Sequence, residues 1–214
     1  DGFSYDNWGG YNLLVKLNQR NPEVKEHIFD AIRFWVKEFD IDGIRLDAAD
    51  VLDHGFMQDI RNLTNTLKED FWLMGEVIHG NYSQWANNEK LTNYELHKAL
   101  YSGHNDHNFF EIAHSIQRSL DINHDTKLYT FVDNHDVERI ATKLNNKAHL
   151  LPLHVLYYGL PGIPSIYYGS EFGIEGKKEK NGSDDAIRPA LSLSDYANAY
   201  ETNPLTNLIT SAIS

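Results

Sequence analysis

Cysteine is absent from the 214 residues, so disulfides and thiolate metal sites are excluded. The redox compartment stays open, and with it localisation between cytoplasm and secretion, because many secreted proteins also lack disulfides. No apolar run approaches ~20 residues, which leaves no transmembrane helix and no expected membrane partner. No signal peptide is visible. Positive charge is scarce: 19 Lys and Arg stand against 31 Asp and Glu, a formal charge of −12. An acidic surface of this kind argues against nucleic acid and anionic membrane as partners. The histidines form no H-E-x-x-H pattern, so no metal site is expected from them. There is no internal repeat and no low-complexity tract.

What the chain does contain is a series of short apolar runs, three of which lead into carboxylates. Asp47 closes Ile41-Asp-Gly-Ile-Arg-Leu-Asp47, Glu76 closes Phe71-Trp-Leu-Met-Gly-Glu76, and Asp136 follows Leu128-Tyr-Thr-Phe-Val-Asp-Asn-His-Asp136. Such runs, bounded by Gly, Asn or Asp, read as buried parallel strands. Strands are predicted at 41–46, 71–75, 91–96, 127–132 and 162–169. Helices are predicted from Asn21-Pro22-Glu23, with Asn as cap and Pro in the first turn, to about Phe39. Further helices are expected at 53–68, 97–102, 107–120 and 147–159, a polar loop at 173–189, and helical pieces in the tail. Alternating strands and helices predict an α/β fold with a parallel sheet. Five βα units are too few for a closed barrel. Either the sheet is open, or the chain is the later part of a barrel whose first strands lie elsewhere.

The motifs Gly43-Ile-Arg-Leu-Asp47-Ala, Gly75-Glu76-Val77 and Phe131-Val-Asp-Asn-His-Asp136 occur in that order, followed by Gly162-x-Pro-x-Ile-Tyr-Tyr-Gly169 and Glu171. Together they resemble the α-amylase family of retaining glycoside hydrolases (family thirteen). The resemblance covers nearly the whole chain up to about Pro189. It implies Asp47 as nucleophile, Glu76 as general acid and then base, and Asp136 as the third carboxylate, holding sugar hydroxyls. Two carboxyl groups around a cationic transition state are what glycosidic bond chemistry needs. Arg45, two residues before Asp47, shares its strand face, and its charge favours the ionised form of Asp47. His135 is implied as a sugar-binding imidazole, Asn134 as the residue that orients its loop, and His79 as a cleft histidine. Asp184 and Arg188 resemble a pair that binds glucose units on the non-reducing side, with a surface salt bridge as the alternative. Asp133 reads as a capping or loop residue.

Leu14-Val-Lys-Leu-Asn18 is similar to the M-P-K-L-N signature of the neopullulanase, cyclomaltodextrinase and maltogenic amylase branch, with Val15 in place of Pro. Many α-amylases carry Lys-His three and four residues after the nucleophile; Asp50 and Val51 stand there, and Ile78 replaces an aromatic two residues after the acid. The family's first motif, D-x-x-x-N-H, does not occur before Asp47. The resemblance therefore implies the C-terminal part, about strands four to eight, of a TIM-type (β/α)8 barrel. Residues 1–20 would end an inserted small domain or form a loop, 21–190 would be partial catalytic barrel, and 191–214 a tail or the start of the final barrel helices.

The implied activity is retaining cleavage of α-1,4-glucosidic bonds in starch-derived glucans or maltodextrins, with no cofactor required and a calcium ion compatible with the full-length protein. The alternatives are a glucanotransferase of the same family and a non-catalytic sugar-binding barrel. The expected partner is an α-glucan; the piece alone is expected to be inactive and, through its open sheet edges, to self-associate. Of the four Trp, twelve Tyr and ten Phe, most read as core residues, the alternative being that a few stack on sugar rings.

Overall fold

A computed structural model describes residues 4–78, 90–122, 127–180 and 182–214. The chain divides into two compact units, Asp1–Glu76 and Val77–Ser214.

The first unit holds α1 (Pro22–Phe39), β1 (Gly43–Leu46), α2 (His54–Leu67) and β2 (Trp72–Gly75). The Asn21 side chain accepts from the Glu23 amide at 2.8 Å and opens α1, as its sequence predicts. At the other end Asp40 adopts a left-handed conformation, φ 50°, and its amide returns to the Val36 carbonyl. Asp53 caps α2 through the Phe56 amide. Ile32, Phe56, Ile60 and Leu73 form the buried core, flanked by Ile28, Phe29, Ile44 and Leu46. β1 and β2 pair in parallel, with Gly43 opposite Trp72 and Leu46 opposite Gly75. Gly43 lets them close: a Cβ there would meet the Trp72 carbonyl oxygen at 2.5 Å.

The second unit holds β3 (Lys90–Leu91), α3 (Tyr94–Asn105), α4 (Phe109–Ile122), β4 (Tyr129–Thr130), α5 (Ile140–Lys143), α6 (Leu150–Gly159), β5 (Ile163–Pro164), α7 (Ala199–Thr202) and α8 (Pro204–Ile213). β4 and β5 are parallel, Tyr129 facing Ile163, and Thr92 bridges to Tyr129 in the same sense. Pro164 fits because the ladder draws its donors from the residues on either side, Ile163 to the Leu128 carbonyl and Ser165 to that of Thr130. The Tyr157 hydroxyl ties α6 to this ladder, donating to the Thr130 carbonyl and accepting from the Ser165 amide, both at 2.8 Å. The core joins Leu96, Leu100, Ile112, Val132, Ile140 and Leu153.

All five predicted strands occur, but shorter than their apolar runs. The strand expected over 91–96 stops at Leu91, because the Asn93 side chain accepts from the Leu96 amide and starts α3 three residues before the predicted 97. The strand expected over 162–169 ends at Pro164, and its last residues enter a 3₁₀ turn at Ser170–Phe172. Among the described residues no helix is long and apolar enough to cross a membrane.

Candidate active site

The register of β1 and β2 places the candidate groups of the first unit. Leu46 lies opposite Gly75, so the next residues, Asp47 and Glu76, leave the ends of neighbouring strands side by side. Ala48 then turns left-handed, φ 44° and ψ 46°, at a cost of about 1–2 kcal/mol for a residue with a Cβ. That turn sends two amides to Glu76: Ala48 N–H to the side-chain Oε2 at 3.1 Å, and Ala49 N–H to the backbone carbonyl at 2.8 Å. Glu76 N–H in turn donates to the Leu46 carbonyl at 2.9 Å. Glu76 is buried and pinned; Asp47 is open, its side chain 80% exposed.

Arg45 joins them. Its Nη1 meets Asp47 Oδ1 at 2.7 Å and its Nη2 meets Glu76 Oε2 at 3.0 Å. The contact with Asp47 follows from two-residue spacing along the strand. The contact with Glu76 spans 31 positions and has no signature in the sequence. A planar fork with donors on both terminal nitrogens suits this double role better than an ammonium.

The other predicted groups gather in the second unit. Asn134 Oδ1 accepts from the amides of Asp136 at 2.8 Å and Val137 at 3.2 Å, an Asx turn that shapes the loop after β4. His135 Nε2 lies 3.1 Å from Asp136 Oδ2. Arg188 Nη2 contacts both Asp184 Oδ2 at 2.8 Å and Asp136 Oδ1 at 3.0 Å, and its Nε donates to the His135 carbonyl at 2.8 Å. Asp184 and Arg188 are thus a pair, and the pair also grips Asp136. His79 lies outside the described residues. Asp133 is buried and structural: Oδ2 accepts from the Ile140 amide at 2.7 Å and Oδ1 from Ser170 Oγ at 2.6 Å.

Two residues that sequence reasoning passed over belong to this second-unit group. Lys178 pairs with Asp184 at 3.4 Å and donates to the Asp136 carbonyl; it sits in a Lys-rich loop where nothing marks it out. Arg139 is fully buried beneath the loop; the one hint was a lone cation directly before the apolar pair Ile140-Ala141. A cavity of about 680 Å³ adjoins Asp136, lined also by Ile78, Tyr94, His97, Tyr101 and Lys178. Among the described residues, no group of three or more His, Asp or Glu could hold a metal ion.

His97 forms part of the cavity wall. Its ring stacks on Phe131 at 5.2 Å and its Nδ1 is 2.8 Å from the Val132 carbonyl. Burial pushes its pKa from 6.5 down to about 4. The unfolded chain therefore binds a proton that the folded one refuses between those values. Stability is full above pH 6.5 and falls as pH drops toward 4, by about 3 kcal/mol from this group. Urea unfolding at pH 7 and pH 4.5 is expected to show that loss, and His97→Gln to reduce it.

Comparison with known proteins follows the same lines. A family model described as "Alpha amylase, catalytic domain" matches residues 5–199. A maltogenic α-amylase of Bacillus acidopullulyticus is 30% identical over 185 residues, which cover 82% of this chain and 31% of that protein. Neopullulanase 2 of Thermoactinomyces vulgaris is 34% identical over 193 residues, 83% of this chain and 31% of that one. Among solved structures, the ligand-free cyclic α-maltosyl-(1→6)-maltose hydrolase from Arthrobacter globiformis aligns with a TM-score of 0.80 at 25% identity, over 98% of this chain and 48% of the other. The chain spans about a third of the length of these two curated relatives.

Proposed function

The chain belongs to the α-amylase family, whose catalytic domain is a (β/α)8 barrel, and from that premise we propose that it carries the retaining glycosidase chemistry of a protein acting on α-1,4-linked glucans or maltodextrins. Its five strands correspond to about the fourth to eighth of the barrel. Asp47 attacks the anomeric carbon while Glu76 protonates the departing glycosidic oxygen. Water, activated by the same Glu76, then releases the sugar from Asp47. Asp136, held by Arg188, takes sugar hydroxyls, and His135 and Asp184 serve the same end.

The observation that carries this reading is the fork of Arg45 on both Asp47 and Glu76. One guanidinium keeps the two carboxylates around a common bond, as an acid and nucleophile pair requires, and the choice of retention over inversion comes from the family. A short separation, ~5–5.5 Å, is the retaining arrangement; an inverting pair leaves room for water between its members. The presence of all three carboxylates favours an enzyme over a sugar-binding relative, and glucosyl transfer differs only in the acceptor that reaches the covalent intermediate. Proton NMR of the full-length protein acting on maltoheptaose is expected to show the α-anomer of each new reducing end before mutarotation. A β-anomer appearing first would sink the assignment.

A further inference from the structure

We propose that Trp8, braced by Tyr11, forms an additional glucosyl-binding platform beside Asp47, which favours long glucan chains over short ones; this rests on the glycosidase reading above. In the first unit, Trp8 and Asp47 line one cavity of about 880 Å³, together with Asp6, Asn7, Lys16 and Val51. A second cavity, of about 620 Å³, shares Tyr5, Asp6, Lys16 and Val51 with it. The two cavities thus adjoin through shared walls, the second lined also by Asn18, Gln19 and Arg20. Each lies in the size range of small-molecule sites, and together they exceed what one sugar ring needs.

The cavity wall is shaped before any ligand arrives. Trp8 N–H donates to the Leu14 carbonyl, Tyr11 N–H to that of Trp8, Leu14 N–H to that of Tyr11, and Lys16 N–H to that of Asp6, all at 2.9–3.0 Å. Gly9 and Gly10 take positive φ, 58° and 84°, and make the tight turn between them. The Trp8 and Tyr11 rings stack at 5.8 Å with planes 18° apart, yet both stay exposed, at 46% and 62%. A large aromatic held open by a braced turn loses little side-chain freedom on binding, which is the condition for a contact that adds affinity.

The chemistry fits a pyranose. One face of glucose carries axial C–H groups, apolar and slightly positive, which match the negative face of an indole. The equatorial hydroxyls point outward from the ring, and Asp6, Asn7 and Lys16, which line the same cavity, offer acceptors and donors. A glucan whose reacting bond sits at Asp47 shares its cavity with the indole. A longer glucan sets more of its units along these walls than a short one, so the contribution of the indole grows with chain length.

The test compares maltotriose with maltoheptaose on the full-length protein. Trp8→Ala is expected to lower kcat/KM for maltoheptaose about three- to tenfold more than for maltotriose, through KM, the size of an ordinary aromatic contact. Trp8→Phe should restore most of the difference. Calorimetric titration of maltoheptaose into the Glu76→Gln protein, with and without Trp8→Ala, reads binding apart from turnover. Weaker binding in the double variant supports the platform. Equal binding, or an equal loss on both substrates, overturns the platform while the glycosidase reading stands. No maltoheptaose binding to either protein overturns both.

Discussion

Replacing Glu76 by Gln in the full-length protein is expected to lower kcat on maltoheptaose by about 10²–10⁴-fold, the usual contribution of a positioned general acid. Gln keeps the shape, so the fold of the first unit should hold: its oxygen still accepts from the Ala48 amide, and the backbone bonds from Ala49 and to Leu46 are untouched. What is lost is a proton for the leaving oxygen and, later, a base for water. This distinguishes the acid from the nucleophile. A substrate whose leaving group departs without a proton, such as α-maltosyl fluoride, should form the intermediate at near-normal speed in Glu76→Gln. It should fail in Asp47→Asn, where no covalent bond can form. Full activity of Glu76→Gln on maltoheptaose would remove Glu76 from the acid role. Failure on both substrates with native folding would place Glu76 among the groups that merely support Asp47 and Arg45.

The pairing of Asp47 with Glu76 was legible because each carboxylate ends an apolar run and parallel strands in register bring run ends together. Motif order then assigned the roles by family resemblance. Element lengths were less legible. An apolar run measures burial, whereas a ladder is only as long as its partner: Val132 and Phe131 are buried without strand pairing, since β5 leaves the ladder after Pro164. At residues 91–96 two signals competed, and the Asn93 cap prevailed over the β pattern. The contacts that shape the site were hidden for a common reason. The Arg45 bond to Glu76, the Arg188 grip on Asp136 and the left-handed Ala48 all depend on chain segments meeting in space, and no local pattern announces them. Alanine in particular gives no hint of positive φ, a conformation usually marked by Gly or Asn.

Arg139→Met is expected to destabilise the second unit by about 3–5 kcal/mol, the usual cost of removing one member of a buried charged network. The guanidinium is fully buried, 4.1 Å from the Tyr167 ring and 5.0 Å from that of Tyr168. Its Nε donates to the Ile187 carbonyl at 3.1 Å, and its Nη1 to the Tyr168 carbonyl at 2.6 Å and to Ser170 Oγ at 3.1 Å. Ser170 Oγ in turn donates a hydrogen bond to Asp133, whose carboxyl is pushed up by burial, against the lowering effect of the Ser170 and Ile140 bonds and the Arg139 charge. Met fills much of the volume and keeps contact with the tyrosines, but leaves the Ile187 and Tyr168 carbonyls without this donor and Asp133 without its counter-charge. Arg139→Lys keeps the charge without the planar fork, and should recover less than half of the loss. Urea unfolding of the full-length protein, followed by circular dichroism, measures both. A change under about 0.5 kcal/mol in Arg139→Met, the size of an ordinary surface substitution, would show that the network is not structural. The effect should also reach the site below the unfolding transition. Ile187 precedes Arg188, so releasing its carbonyl loosens the guanidinium that grips Asp136, and KM for maltoheptaose should rise in Arg139→Lys while the protein is still folded.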